Sequence, residues 1–375
     1  MFHTVIRYSS FLSKFMGLSN FVIEEGDFAS RKTKILAKIR SFIIPITSII
    51  VALGFVITLS QETSKTTTYI SRMILLVEIT TSCYFLIISN IKKLHFKDLF
   101  KQIKEREVDL KNFLPNYRSQ SCDNKLKIVL LINFVVFLGV MMCFHICNDG
   151  VDVSYITYYN SIYAVLVIYT ITLTITFYAI KLDQQLECAN KILKNIQLKD
   201  ETDVLFGQAS TDDLENLFSK IYSSVDAICN YFQVCFVGCL VYSTFQPLWS
   251  MYLVIVNFPK KSNTILIAYL YWSGVQYFQV NEWIWALTIL KNQVSKLDNN
   301  FYKLARTSPN AWFYDMATSI TLKRLGRKSN DSLAGVFPTA NWTLNTWVTS
   351  TIISYLVIIL QFKIQENPSD SDFTY

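Results

Sequence analysis

The strongest constraint in the sequence is a series of seven apolar runs, each long enough to cross a lipid bilayer as a helix. A helix needs roughly 20 apolar residues to span a hydrocarbon core of about 30 Å. None of the runs alternates with the two-residue period of a membrane β-strand. The sequence therefore predicts an all-α, polytopic membrane protein with seven transmembrane helices. The runs lie at residues 41–60, 70–91, 128–147, 154–180, 231–257, 264–290 and 340–362.

The basic residues between these runs predict how the chain is oriented in the membrane. Thirty of the 35 Lys and Arg residues lie in the N-terminal segment 1–40 and in the connections 92–127, 181–230 and 291–339. Loops rich in Lys and Arg are retained in the cytoplasm during insertion. We therefore expect a cytoplasmic N-terminus and, after seven crossings, an extracellular C-terminus. A G-protein-coupled receptor has the opposite orientation.

The same features exclude several other classes of protein. A chain that is 51% hydrophobic and 17% charged is too apolar for an ordinary soluble domain. A nucleic-acid-binding protein would concentrate its basic residues on one soluble domain, whereas these lie between apolar runs, so we expect no nucleic-acid partner. The three histidines are scattered and no phosphate loop or nucleophile elbow is present, so we expect no enzyme. The eight cysteines lack clustered His, and neither a metal nor a cofactor is predicted.

The runs and their connections divide the chain into five segments. Apolar residues at helical spacing continue into the basic connections, for example at Leu297, Phe301 and Leu304. Several spans are therefore expected to extend below the membrane as helices and to pack there. The segments are an N-terminal cytoplasmic stretch, a six-helix transmembrane region, a cytoplasmic connection, the last helix and an extracellular tail, at residues 1–40, 41–290, 291–339, 340–362 and 363–375.

The last run carries a short motif at its C-terminal end. Ser354 and Tyr355 are followed by five mostly apolar residues and then by Gln361 and Phe362, and a Gly-x-Phe pair starting at Gly335 precedes the run. This pattern resembles the signature of insect gustatory receptors, whose last span ends in Thr-Tyr, five mostly apolar residues and Gln-Phe. The residue-level resemblance is confined to roughly the last thirty residues, while length and topology agree along the whole chain.

Two positions depart from that family's pattern. Ser354 stands where the family usually has Thr, a change that keeps the hydroxyl group. Leu356 stands where the sugar-receptor branch has Glu, which makes a canonical sugar a poorer candidate ligand.

The resemblance implies a ligand-gated, non-selective cation channel in the plasma membrane of chemosensory neuron dendrites. The channel would be a homotetramer, or a heterotetramer with related receptors, opened by a small-molecule tastant. Segment 41–290 would bind the tastant in its outer half, segment 291–339 would anchor the subunits, and segment 340–362 would line a central pore. An insect odorant receptor channel and a G-protein-coupled receptor remain alternatives. The pore and gate residues implied are Ser354, Tyr355, Ile358, Gln361 and Phe362.

The spacing of residues in the last run is compatible with a pore but does not require one. Thr346, Ser350, Ser354, Ile358 and Gln361 follow one another at intervals of four, four, four and three, which places them on one helical face. Small polar residues on one face suit either water or contact with a neighbouring helix. In a pore, an apolar ring could close the channel by dewetting, and the Gln amides would face passing cations.

Aromatic residues supply most of the candidate ligand contacts. On the fourth run, four tyrosines share one face near its expected outer end, although an interfacial aromatic belt would have the same pattern. Further aromatic candidates lie near the outer ends of the fifth and sixth runs. The full set is Tyr155, Tyr158, Tyr159, Tyr163, Trp249, Tyr252, Tyr269 and Trp272.

Acidic and amide side chains inside the runs form a second group of candidates. An acidic residue at the centre of a span costs roughly 2.5–3.5 kcal/mol on insertion scales. Glu78 should therefore point into the protein, either to a ligand or to a structural hydrogen bond with another helix. Gln276, Gln279 and Glu282 pose the same choice, with Glu282 expected nearer the cytoplasmic boundary.

Overall fold

The structure, a computed structural model, describes Ile43, Ile50 and residues 66–91, 96–113, 120–148, 155–198, 211–257, 263–307, 311–325 and 342–366. These ranges form eight helices, and the described residues include no strand. The helices are α1 (Thr66–Ile91), α2 (Phe96–Phe113), α3 (Gln120–Asn148), α4 (Tyr155–Leu198), α5 (Thr211–Asn257), α6 (Asn263–Thr307), α7 (Ala311–Leu325) and α8 (Trp342–Glu366).

Six of the eight helices coincide with predicted spans, which confirms the all-α class. These are α1, α3, α4, α5, α6 and α8, while the first predicted run, 41–60, lies outside the described residues except for Ile43 and Ile50. Apolar segments long enough to cross a membrane lie within α3, α4, α5 and α8, and a shorter one lies within α1. They are Asn124–Cys143, Val165–Asn195, Asp213–Tyr252, Thr343–Phe362 and Leu76–Ile88.

Three of the helices are much longer than a membrane span requires. The lengths of α4, α5 and α6 are 44, 47 and 45 residues, which correspond to about 65–70 Å at the rise of an α-helix. Their extensions pack together, as in the edge-on contact of the Phe218 and Phe301 rings with centroids 4.9 Å apart. Leu193, Leu297 and Leu304 are also buried there. The predicted helical extensions are therefore confirmed.

The core is formed mainly by α4, α5 and α6, with α1 and α3 packed against them. The segment Val165–Asn195 of α4 is 89% buried, whereas Asn124–Cys143 of α3 is only 28% buried and exposes Leu131, Phe134 and Met142. A helix that is apolar on its exposed face is stable beside lipid tails but not beside water. We therefore place α4 at the centre of the bundle and the outer face of α3 against lipid.

Charged contacts are concentrated at one end of the bundle, which we call the basic end and define by α2 and the ion pair between Lys125 and Asp183. The Lys125 Nζ and Asp183 Oδ2 atoms are 2.9 Å apart and join α3 to α4. Arg106 of α2 is buried and donates hydrogen bonds to the carbonyl oxygen of Lys220, at 2.6 Å, and to the Ser224 hydroxyl of α5. Burial lowers the pKa of Arg106 to about 10, against the opposing effect of Asp109 and Glu105 on its own helix.

Two glycines allow aromatic rings from neighbouring helices to approach the backbone closely. At Gly238 of α5 an added Cβ would lie 2.7 Å from the Tyr84 ring of α1. At Gly139 of α3 an added Cβ would collide with the phenol of Tyr271 of α6, whose hydroxyl donates to the Val136 carbonyl at 3.3 Å. Gly274 of α6 differs, because nothing lies within 4 Å of the corresponding position.

We expect Gly139→Ala and Gly238→Ala each to destabilise the protein by about 1–3 kcal/mol, because the added methyl group must displace a packed ring. Gly274→Ala is the matched control: it adds the same methyl group in open space and improves helix propensity. Melting of the detergent-solubilised protein, followed by fluorescence-detected size exclusion, measures the effect. Equal melting temperatures for all three variants would contradict the close packing.

The ion pair at the basic end gives a second prediction. The Asp183 side chain is 3% exposed and that of Lys125 is 44% exposed, so Lys125→Met leaves a buried carboxylate without its cation and should cost about 1–3 kcal/mol. Adding Asp183→Asn should restore part of the loss, and the double-mutant cycle measures the coupling. Lys101→Met is the control, because the Lys101–Glu105 pair is largely exposed and should contribute less than about 1 kcal/mol.

Candidate functional site

A buried polar network joins three helices in the interior of the bundle. The Glu78 carboxyl of α1 accepts a hydrogen bond from the Gln246 amide of α5. The Gln246 Oε1 atom in turn accepts one from the Trp272 indole N–H of α6, at 3.2 Å. Glu78, Gln246 and Trp272 are all buried. Glu78 therefore points into the protein, and its contacts include an interhelical hydrogen bond.

A second polar pair lies one helical turn away in both α5 and α6. The Gln276 amide of α6 donates to the Tyr242 hydroxyl of α5, with 3.5 Å between the nitrogen and the oxygen. Tyr242 precedes Gln246 by four residues, and Gln276 follows Trp272 by four. The two pairs are consecutive contacts of antiparallel helices, because residues four apart lie on one face.

The chain positions these groups through an unusual stretch of α5. Pro247 lies inside the helix directly after Gln246, and proline provides no N–H for the carbonyl group of Ser243. The hydroxyl groups of Ser243 and of Ser273 on α6 are buried and have no hydrogen-bond partner. This part of the α5–α6 contact is therefore polar, although the surrounding segment is apolar. Bound groups of the size of a water molecule would be needed to complete the hydrogen bonds of the two hydroxyl groups.

The predicted aromatic candidates of α5 and α6 lie towards the helix ends beyond this network. The Trp249 and Tyr252 rings stack with centroids 5.4 Å apart, and Tyr252 is fully buried while Trp249 is half-buried. Tyr269 is half-buried and precedes Trp272 by three residues on α6. Polar hydrogen-bonding groups and aromatic rings thus occur together, which is the composition of a site for a small organic molecule.

The four predicted tyrosines of α4 are only partly described. Tyr163 is half-buried and packs against the core. Tyr155, Tyr158 and Tyr159 lie in the first turns of α4, but their side chains are outside the described part of the structure. Their contact with a ligand stays a prediction.

Gln279 and Glu282 extend the buried polar groups of α6 towards the basic end. Both side chains are buried. The Glu282 Oε1 atom accepts a hydrogen bond from the Asn133 amide of α3 at 3.1 Å.

The last helix, α8, has one buried face and one exposed face. Leu344, Val348 and Ile352 are buried at intervals of four, and only 17% of Thr343–Phe362 is buried. The predicted stripe lies entirely on the other side, because all of its members are exposed, as are Tyr355 and Phe362. The stripe consists of Thr346, Ser350, Ser354, Ile358 and Gln361.

Hydrogen bonds between α8 and α6 lie near the start of α8. The Asn345 amide donates to Asn281 Oδ1 at 2.7 Å, and the Tyr277 and Thr349 hydroxyl oxygens are 3.3 Å apart. Farther along, the partly buried Leu356 packs against the core through apolar contacts. Apolar contacts are non-directional, so within the described residues the C-terminal half of α8 lacks the directional contacts that hold its first turns to α6.

Sequence reasoning identified Glu78 and Trp272 but missed the residues that connect them. Gln246 and Tyr242 were not among the candidates, although an amide beside a proline within an apolar run is a usable signal. Asn133 was missed in the same way, as a single amide within the third run.

Comparison with solved structures identifies the same architecture in an insect receptor. The insect olfactory receptor OR5 from Machilis hrabei superposes on 96% of this chain and 98% of its own, with a TM-score of 0.72 and 12% sequence identity. Its complex with eugenol superposes over the same shares with a TM-score of 0.68, also at 12% identity. No curated protein sequence matches the chain.

Sequence comparison with protein families is more specific than this likeness of fold. The family described as 7tm chemosensory receptor matches residues 6–366, which is nearly the whole chain. The protein belongs to the 7tm chemosensory receptor family.

Proposed function

We propose that this chemosensory receptor is a gustatory, ligand-gated cation channel whose pore is lined by α8 from several subunits. The observation that carries the proposal is the exposed face of α8, on which Ser350, Ser354 and Gln361 lie within a helix long and apolar enough to cross a membrane. The Ser354 hydroxyl donates to the Ser350 carbonyl at 2.9 Å, whereas the Gln361 amide would lose its hydrogen bonds with water if it faced hydrocarbon. Assembly around a water-filled axis would restore those bonds.

The exposed apolar residues of the same face suit a gate. Ile358 and Phe362 are 43% and 60% exposed, and rings of such side chains from several subunits would close a narrow pore by dewetting. Gln361 lies between them on the helix and would offer amide dipoles to a passing cation. The weak directional attachment of this half of α8 is compatible with movement between closed and open states.

The ligand site we propose is built around Glu78, Gln246 and Trp272, with the aromatic side chains of α5 and α6 beside it. Its ligand would be a small organic molecule that exchanges hydrogen bonds with the network and packs on the rings. The Machilis receptor was also solved in complex with eugenol, a small molecule. Binding opens the channel only if it favours the open arrangement of the helices over the closed one.

The proposed orientation places the basic end in the cytoplasm of a chemosensory neuron, with the ligand network towards the outside. The lopsided distribution of Lys and Arg supports it. The ending Ser354-Tyr355 followed by Gln361-Phe362 favours the gustatory class over the odorant class. An N-terminal epitope that antibodies reach on intact cells would contradict the orientation.

Ligand-evoked current tests the channel and its lining together. With G-protein signalling blocked, expressed protein should conduct cations when an active tastant from a broad panel is applied. In Ser354→Cys and Gln361→Cys, a charged, water-soluble thiol reagent should reduce that current, because their sulfurs would face the pore. Ile352→Cys is the matched control on the buried face and should respond like the wild type. Modification of Ile352→Cys alone would place the pore elsewhere.

Substitutions in the network test the ligand site. Glu78→Gln replaces the carboxyl acceptor by an amide of nearly the same volume, and Trp272→Phe removes the indole N–H donor together with one ring. Either should raise the half-maximal ligand concentration about 5–10-fold. Tyr222→Phe removes a partly buried hydrogen bond to Asp298, 2.8 Å long, far from the network, and should leave that concentration unchanged. Surface expression is measured in parallel. Equal shifts in all three variants would indicate a general effect on folding.

A further inference from the structure

Glu282 of α6 is an acidic side chain in the bundle interior that the proposed channel mechanism does not use. Its side chain is 7% exposed. The Asn133 amide of α3 donates to its Oε1 atom, whereas its Oε2 atom is buried and has no hydrogen-bond partner. The Thr176 side chain of α4 lies beside the same carboxyl, and its buried Oγ1 atom has no hydrogen-bond partner. Three helices therefore meet at one incompletely satisfied carboxyl group.

The position of this carboxyl group separates it from the cations of the basic end. Asn133 follows Lys125 by eight residues on α3, and Thr176 precedes Asp183 by seven on α4. These separations correspond to about 10–12 Å along the helices. Among the described residues no Lys or Arg pairs with Glu282. An ionised carboxylate in such a place costs several kcal/mol unless its charge is compensated.

Three buried oxygen atoms on or near Glu282 have no hydrogen-bond partner. They are Glu282 Oε2, Thr176 Oγ1, whose hydroxyl can also donate, and the Oε1 atom of Gln279, three residues earlier on α6. Carboxylate, hydroxyl and amide oxygens are the ligands preferred by hard cations. A single carboxylate matches a single positive charge. We propose that Glu282, Thr176 and Gln279 bind one monovalent metal cation between α4 and α6, beside Asn133 of α3.

Such a cation would do two things that the side chains do not do alone. It would neutralise the buried carboxylate, and it would coordinate oxygen atoms from α4 and α6. Because the site forms only in the folded protein, bound cation stabilises the fold in proportion to the logarithm of its concentration above the dissociation constant. The site is separate from the exposed face of α8, so its occupancy is measurable without channel activity.

Thermal melting of the purified full-length protein tests the site. Na⁺ or K⁺ replaces the bulky cation N-methylglucamine at constant ionic strength and pH. The wild type should melt several degrees higher in Na⁺ or K⁺, with a saturable dependence on concentration, and Glu282→Gln should lose that dependence. Thr176→Val keeps the side-chain shape without the oxygen and should require a higher cation concentration for half of the shift. Asp183→Asn is the control, since this buried acid pairs with Lys125, and it should keep the full shift.

Three results would overturn the proposal. The first is a wild-type protein that melts equally in all three cations. The second is a shift in melting temperature that reaches half of its size at the same cation concentration in Thr176→Val and Glu282→Gln as in the wild type. The third is a melting temperature that depends on pH through Glu282 but on no metal cation, which would mean that the carboxyl group holds a proton. If Glu282→Gln fails to fold, the midpoint in Thr176→Val decides between binding and its absence.

Discussion

The structure depends on one constraint: a polar group inside a membrane protein must find its partner within the protein or in enclosed water, because lipid offers none. In the interior of the bundle, Gln246 meets this constraint by joining Glu78 of α1 to Trp272 of α6. On the exposed face of α8, the Ser354 hydroxyl meets it by donating to the Ser350 carbonyl, but the outward-facing Gln361 amide does not meet it within the described chain. The same requirement thus fixes the packing of α1, α5 and α6 and leaves α8 dependent on its surroundings.

The spans and the exposed face of α8 could be predicted from sequence for a physical reason. A helix in lipid satisfies its own backbone, so a run of about 20 apolar residues defines an element without knowledge of its neighbours. The intervals of four that link Ser350 and Ser354 on one side, and Val348 and Ile352 on the other, likewise depend only on helix geometry. The helical extensions followed from the same periodicity at Leu297 and Phe301.

Partners across helices could not be predicted in this way. Asn133 and Glu282 are 149 residues apart and Arg106 and Ser224 are 118 apart, and their contacts depend on how far each helix is shifted along its neighbour. A single sequence gives no measure of that shift. Gly139 and Gly238 are a second example, because the need for glycine at these positions follows only from the close approach of the Tyr271 and Tyr84 rings.

Because α5 is one continuous helix, a change in its direction at one point also moves its distant end. Pro247 lies 36 residues from its start at Thr211, a distance of about 54 Å along the axis. A change of about 5° in direction at the proline, where one backbone hydrogen bond is missing, would sweep the far tip sideways by about 5 Å. A small rearrangement beside Gln246 would therefore move the Thr211 end of α5 by about the size of a side chain.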